Sequence, residues 1–483
     1  MKKTFNRPTG MHLLYLPKPC ASKPAQQASW RGGLLLALVA MLLGFQLVNG
    51  ADRHVIMVTI DGFPSYLFDD PKTPIPTIRQ LAAEGVVAEG MRASNPTITW
   101  PNHTTLVTGV RAARHSVLFN GILQRPGPGL PVAVDGNHDQ AELVAVPTVF
   151  DLLHRAGLRT AAINWPCTRN SATLDDNFPD VPENVLHTST RLKQELIERR
   201  ILTVTNDTVF RALTGPARDD IWTKAACHVL RERKPNLMLF HLLNTDSTHH
   251  RYGPQSPASY TALALADFYI RDLVNALNTS GMRENTTLLI LADHGFAVTT
   301  NALLPNVLLR QAGLLELGKT NEIAKARVHV YPEGGTGFVY LTNPETAAED
   351  RKKAMEIFKG REGIAEIIEP AQYSDIGMPL PNKNQGSPDL ILVAKDGYGI
   401  TGPAVGDDFI KPATIWSSLG QHGCMASNPR MNALFIATGK GIKRGGKIGL
   451  VENIDIAPTI AHLLGKELPE TDGKVMREIL DLQ

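Results

Sequence analysis

Six side chains in this sequence could bind a cation together. Three are carboxylates, Asp61, Asp246 and Asp293, and three are imidazoles, His250, His294 and His422. Asp293 is followed directly by His294 and Gly295, His250 lies four residues after Asp246, and His422 sits within Gln421-His422-Gly423. Carboxylate and imidazole without thiolate form a ligand set suited to zinc, manganese or iron. A single aspartate after a strand is more often a turn residue; three of them accompanied by three histidines are harder to explain that way. A hydroxyl that a divalent cation could activate is offered by Asn95–Gly109, NPTITWPNHTTLVTG. Thr99-Trp100-Pro101 breaks a β-like stretch, and proline is favoured in the first turn of a helix. The pattern predicts a short helix over Asn102–Thr108 ending at Gly109. Thr99 then stands at its N-terminus, where the partial positive charge favours an anion. Threonine is a poor nucleophile until a base or metal takes its proton.

Strands must bring these groups together. From about His54 the chain alternates apolar runs with amphipathic stretches, which predicts an α/β fold with a mainly parallel central sheet and helices on both faces. The clearest runs are His54–Ile60, Thr160–Ile163, Leu237–Leu243, Thr287–Ala292 and Asn432–Ala437. Helices are expected over Thr77–Glu84, Pro147–Ala156, Ala258–Leu277 and Asp455–Leu464. Asp61 follows the first run, Asp293 the fourth, and Asp246 lies shortly beyond the third. Ligands of open α/β sheets bind beyond the carboxyl ends of the strands, so the three carboxylates should meet at one edge. Residues 320–400 read differently. A hairpin of Arg327–Tyr331 and Gly337–Leu341, a helix over Ala347–Lys359 and strands at Ile364–Ile368 and Asp389–Val393 suggest an inserted α+β subdomain. The catalytic α/β domain would then comprise 51–319 and 401–483.

The 483 residues carry 49 Lys plus Arg against 47 Asp plus Glu, a net charge of +2. Binders of polymeric nucleic acid usually show a larger basic excess. The charge is unevenly placed: Lys2, Lys3, Arg7, Lys18, Lys23 and Arg31 precede the first acid, Asp52. The apolar run Leu34–Val48 follows, broken only by Gly44 and Gln46; a membrane span needs roughly 20 residues. Residues 1–50 read as a secretory signal ending in small residues, or as an uncleaved N-terminal membrane anchor. Export to a periplasmic, secreted or outward-facing anchored location follows, with membrane contact only through this segment. Its removal would leave a chain near −4. The four cysteines, Cys20, Cys167, Cys227 and Cys424, form no CxxC pair, which argues against cysteine-bound zinc. Cys167 and Cys227 are either bridged or free.

Asp61-Gly62-Phe63, the TWPNH…LVTG run, Asp246–Pro254 (DSTHHRYGP), Ala292–Phe296 (ADHGF) and Gly420–Gly423 (GQHG) together resemble the nucleotide pyrophosphatase/phosphodiesterase family of the alkaline phosphatase superfamily. The resemblance spans about residues 54–465 and implies two zinc ions, though other divalent transition metals suit the same ligands. One zinc would be held by Asp246, His250 and His422, the other by Asp61, Asp293 and His294, with Thr99 as the nucleophile bridging to it. Asn120 would hydrogen-bond a phosphoryl oxygen. Trp100 stands where the family has an aromatic beside the nucleophile that often stacks on a substrate base, and Trp165-Pro166 resembles a Trp-Pro-Gly element in which Cys167 replaces the glycine; the resemblance implies that Trp100, Asn120 and Trp165 contact substrate. The implied activity is hydrolysis of a phosphodiester or phosphoanhydride bond in a small, nucleotide-like substrate, through a covalent phosphothreonine. The alternatives within the superfamily are a phosphomonoesterase, a phosphonoacetate hydrolase or a sulfatase-like hydrolase. A sulfatase would need a CxPSR-type motif, which this sequence lacks. A monoesterase would usually add cations, for which Arg92, Arg111 and Arg114 are nearby in sequence. A non-catalytic binding protein on this fold would be expected to have lost a ligand or Thr99, and none is lost.

Overall fold

All seven positions of His54–Ile60 (β1) are buried, as a strand covered on both faces requires. The computed structural model describes residues 52–481; the leader read at 1–50, including Cys20, lies outside the described residues. In chain order the other strands of the main sheet are Val86–Ala88 (β2), Thr160–Pro166 (β3), Asp176–Asp180 (β4), Leu237–Leu242 (β5), Thr286–Leu291 (β6), Phe435–Gly439 (β7) and Gly446–Ile448 (β8). They lie in the order β8-β2-β7-β6-β1-β5-β3-β4. Pairing is parallel between β1 and both β5 and β6, between β3 and both β4 and β5, and between β2 and β8. β7 alone runs antiparallel to its neighbours β2 and β6, so the sheet is mainly parallel. Strand β3 runs three residues beyond the expected Ile163, past an irregularity between Ile163 and Trp165.

The register explains why the carboxylates meet. Ile60 pairs with Leu242 and Thr59 with Leu291, so β1, β5 and β6 end almost level. Asp61 N–H donates to the Leu242 carbonyl at 2.9 Å, and the chain leaves all three strands at one edge.

The helices relevant to that edge are Pro76–Glu84 (α1), Thr99–Thr108 (α2), Gly215–Arg233 (α3), Asn244–Tyr252 (α4), Pro257–Thr279 (α5) and Ile456–Leu463 (α6). Helix α2 starts at Thr99, three residues before the expected Asn102, because Pro101 fits within its first turn. It stops at Gly109, whose φ of 70° is the left-handed conformation that glycine accepts most readily. Two helices have N-terminal donors capped by neighbouring helices. Asp267 of α5 accepts from Thr77 and Ile78 at the start of α1, at 3.2 and 2.8 Å. Asp219 of α3 accepts from Leu243 and Asn244 at the start of α4, at 3.0 Å each.

A second sheet is antiparallel throughout. Its strands Val328–Pro332, Thr336–Leu341, Leu390–Ala394 and Ile364–Ile368 lie side by side in that order. Helix Ala347–Phe358 packs on it through Ala354 and Phe358, and the shared core also takes in Leu303, Leu309 and Ala404. No helix among the described residues is long and apolar enough to cross a membrane.

Helix α4 carries Asp246 and His250, so its cap bears on the site. Burial pushes the Asp219 carboxyl up to about 7, against the pull of its two N–H donors. Asp219→Ala would leave both donors buried without a partner and should lower unfolding free energy by about 1–3 kcal/mol, read by chemical denaturation. Asp219→Asn, which keeps an acceptor, should lose less.

Candidate metal centre

Asp61 leaves β1, Asp293 follows β6 by two residues, and Asp246 lies in the first turn of α4. Between the first two sits Gly62, at a φ of +64°. Its N–H donates to Asp293 Oδ1 at 3.1 Å, and a Cβ there would stand 2.8 Å from the Phe296 ring. Both Asp61 oxygens, Asp293 Oδ2 and Asp246 Oδ1 are buried without a hydrogen-bond partner. Burial raises all three acids above the ordinary aspartate range, and for Asp61 the charges of Asp293 and Asp246 add to it.

The imidazoles face these oxygens with their lone pairs. His250 Nδ1 lies 3.1 Å from the Gly420 carbonyl, His294 Nδ1 3.1 Å from the Gly295 carbonyl and His422 Nδ1 2.9 Å from the Thr97 carbonyl. A carbonyl can only accept, so in each ring Nδ1 carries a proton, and in the neutral rings of His294 and His422 Nε2 is bare. The bare nitrogens point inward. His294 Nε2 is 3.2 Å from Asp293 Oδ2 and 3.5 Å from Asp61 Oδ1. His250 and His422 place Nε2 at 3.4 and 3.6 Å from Asp246 Oδ1. Burial pushes His294 down to about 4 and holds His422 well below the usual histidine range, so these rings stay neutral. Acceptors facing acceptors repel unless a cation lies between them, so the donor set fits divalent metal. The ligand atoms of Asp61, Asp293 and His294 lie within 4.8 Å of one another, as do those of Asp246, His294 and His422. His294 thus touches both groups, and His250 joins the second through Asp246.

Thr99 is the first residue of α2, after the N-cap Ile98. Oγ1 is 3.5 Å from His294 Nε2. Asn120 is exposed beside it. Its Oδ1 accepts from Trp100 N–H at 2.9 Å, which turns its amide N–H groups the other way. The tryptophans depart from expectation. Trp100 is 5% exposed, packs among Val117, Leu143, Cys167 and Val181, and donates from Nε1 to Asp180 at 3.2 Å. Trp165 is fully buried, with its ring edge-on to His103 at 4.7 Å. Both rings are walls behind the site, because the apolar packing that holds them leaves little or no face for a substrate. Cys167 keeps a left-handed φ of 54° where the motif it resembles has glycine. It is a free thiol, as are Cys227 and Cys424, so no bridge joins Cys167 to Cys227. Arg92 pairs with Glu452 at 2.6 Å, Arg114 with Asp472 at 2.7 Å, and Arg111 lies 3.9 Å from Glu452. These arginines are committed to carboxylates elsewhere. Asn102-His103-Thr104 matches the N-glycosylation pattern, but Asn102 is fully buried and bonded to Ser94, Pro96 and Ile98, out of reach of glycosylation.

Three residues outside the six candidate ligands, His103, Thr59 and His241, flank the carboxylates. His103 Nδ1 lies 2.9 Å from the Thr99 carbonyl and so bears the proton. Its Nε2 is 2.9 Å from Thr59 Oγ1, which must donate to it. Thr59 in turn accepts from His241 Nδ1 at 3.0 Å. That leaves His241 Nε2 bare, 3.4 Å from Asp61 Oδ2, while His103 Nδ1 also lies 3.5 Å from Asp293 Oδ2. The Thr59 hydroxyl therefore passes the tautomer that the Thr99 carbonyl sets in His103 on to His241, and both rings flank candidate ligands. The signal was weak because these contacts join residues 44 and 182 positions apart.

The fold is of the alkaline-phosphatase-like α/β class. It matches murine ectonucleotide pyrophosphatase/phosphodiesterase 5, solved as an inactive variant in complex with AMP, with a TM-score of 0.65 and 17% identity, over 89% of this chain and 100% of that one. The human counterpart aligns with a TM-score of 0.66 and 18% identity, again over 89% and 100%. The sequence profile of the type I phosphodiesterase / nucleotide pyrophosphatase family matches residues 55–424, and the chain belongs to that family. An uncharacterized pyrophosphatase/phosphodiesterase of Schizosaccharomyces pombe is 22% identical over 468 residues, 90% of this chain and 82% of its own. A venom phosphodiesterase of Naja atra is 24% identical over 261 residues, 53% of this chain but only 28% of its own length.

Two outcomes follow. Thr59→Val removes the hydroxyl at nearly constant volume and should weaken zinc binding about 10–100-fold, the usual effect of losing a group that orients a ligand; Thr59→Ser should retain it, as read by competition with a chromogenic chelator. Burial shifts the metal-free carboxylates toward their protonated form, so a divalent ion competes with protons for them. The rise in melting temperature on adding zinc should therefore grow as the pH is raised. A gain that shrinks as the pH rises would count against these ligands.

Proposed function

We propose that this chain is an exported, two-zinc phosphodiesterase and nucleotide pyrophosphatase with Thr99 as its covalent nucleophile. The convergence of unprotonated imidazole nitrogens and orphaned carboxylate oxygens beside a helix-terminal hydroxyl carries this reading. Asp61, Asp293, His294 and Thr99 would hold one ion and Asp246, His250 and His422 the other. Two divalent ions there supply Lewis-acid polarisation and lower the proton affinity of a nearby hydroxyl or water.

The residues of the chain do the rest. Thr99 Oγ1, having lost its proton to solvent, attacks phosphorus as the bond to the leaving oxygen breaks. The alcohol or nucleotide departs, and a phosphothreonine ester remains. Water then cleaves the Oγ1–P bond and restores Thr99. The first turn of α2 offers its positive end to the phosphoryl group. Asn120, its carbonyl oxygen engaged by Trp100 N–H, presents amide hydrogens to a non-bridging oxygen as charge develops. Two divalent cations against three carboxylates leave one positive charge, and ionised Thr99 cancels it, so a diester monoanion can enter without strong repulsion. The commitment of Arg92, Arg111 and Arg114 to Glu452 and Asp472 favours a diester over a monoester dianion. AMP in a structural relative supports a nucleotide-like substrate, and the basic, acid-free N-terminal segment supports export.

Purified protein should hydrolyse a nitrophenyl phosphodiester faster than the monoester, and chelation should abolish turnover. Thr99→Ala should remove turnover while two zinc ions per chain are retained. Equal or faster monoester hydrolysis would refute the diester preference, and residual turnover in the variant would refute Thr99 as nucleophile.

A further inference from the structure

The metal centre is open beside His250. The side chains of Asp293 and His294 are 0% exposed, whereas His250 is 33% exposed. The opening is framed by α4 and the loop that precedes His422. Ser418 Oγ donates to the His250 carbonyl at 2.9 Å, and Leu419 N–H reaches the same oxygen at 2.8 Å. Two residues earlier in this pinned loop stands Trp416, 85% exposed and the most exposed large apolar side chain among the described residues. Arg251, next to His250, places its guanidinium 5.8 Å from the Trp416 ring centroid and 5.4 Å from that of Tyr252. No carboxylate pairs with Arg251 among the described residues. Tyr252 is itself 43% exposed and neighbouring Ile415 40%.

We infer that Arg251, Tyr252 and Trp416 form a subsite for the leaving half of the substrate, selecting one that joins a planar ring to negative charge. This rests on the phosphodiesterase reading. In an in-line displacement the leaving group departs on the side opposite the attacking oxygen. Thr99 attacks from beside His294, whose side chain is fully buried, so the departing half projects past Asp246 and His250 toward this rim. An indole face open to solvent stacks on any nucleobase. A guanidinium already held against two rings keeps its donor edge for a phosphate. A lipid surface would also accept aromatic side chains at the rim, but the unpaired cation one residue from His250 favours a soluble, anionic leaving group. The second nucleotide of a dinucleoside polyphosphate has this chemistry.

ATP and diadenosine tetraphosphate separate the contributions. Each would transfer adenylate to Thr99; ATP releases pyrophosphate, which has charge without a ring, and the dinucleotide releases ATP, which has both. Trp416→Ala should lower the ratio of kcat/KM for diadenosine tetraphosphate over ATP about tenfold, the scale of one lost base stack. Trp416→Phe should restore most of it. Arg251→Ala should raise KM for both substrates. An unchanged ratio in Trp416→Ala would overturn the inference. So would a loss confined to a phosphodiester lipid presented in phosphatidylcholine vesicles, which would assign the rim to membrane docking. Failure of the wild-type protein to turn over either nucleotide would instead refute the phosphodiesterase reading itself, and this inference with it.

Discussion

Two buried carboxylates and a third only 14% exposed, in mutual reach, cannot all stay ionised without positive charge among them. Much of the architecture around Asp61, Asp246 and Asp293 follows from that constraint. Neighbouring imidazoles do not supply the charge, because burial keeps His294 and His422 neutral and backbone carbonyls hold their protons on the far nitrogen. The protein has arranged lone pairs toward a centre and withheld the hydrogens that would satisfy them. Left to itself this arrangement costs stability. A divalent ion converts the same repulsion into ligation.

The scaffold exists to hold those lone pairs still. Strands β1, β5 and β6 end nearly level, so each acid needs only a short continuation to reach the centre. Gly62 lets the backbone turn tightly enough for its N–H to grip Asp293. Asp219 pins the start of α4, and Ser418 and Leu419 pin its end through the His250 carbonyl. The chain His103–Thr59–His241 reaches behind Asp61 and Asp293, and the Thr99 carbonyl sets its polarity through the Thr59 hydroxyl. Helix α2, closed at Gly109, sets Thr99 where its partial positive charge and His294 both face the hydroxyl.

The sequence was most informative where one residue answers to one constraint. His54–Ile60 was legible as a strand to its exact ends because every position is buried. The six ligand candidates were legible because carboxylates and imidazoles at strand ends have few structural uses. Boundaries blurred where local signals compete with packing, as in β3, which continues three residues past Ile163, and in α2, which starts at Thr99 with Pro101 inside it. Trp100 and Trp165 were misread because an aromatic beside a reactive group looks the same in sequence whether it faces substrate or core; here the core takes both. Thr59 and His241 were invisible for the opposite reason. Each is one polar residue inside an apolar strand, and only long-range pairing reveals what it holds.

Anomalous scattering at the zinc edge, measured on crystals of the purified protein, tests the central claim most directly. The account predicts two peaks per chain. One should lie about 2.0–2.2 Å from the ligand atoms of Asp61, Asp293 and His294 with Thr99 Oγ1 adjoining, and the other at the same distance from Asp246, His250 and His422. A single peak, or none among these six side chains at full zinc loading, would contradict it.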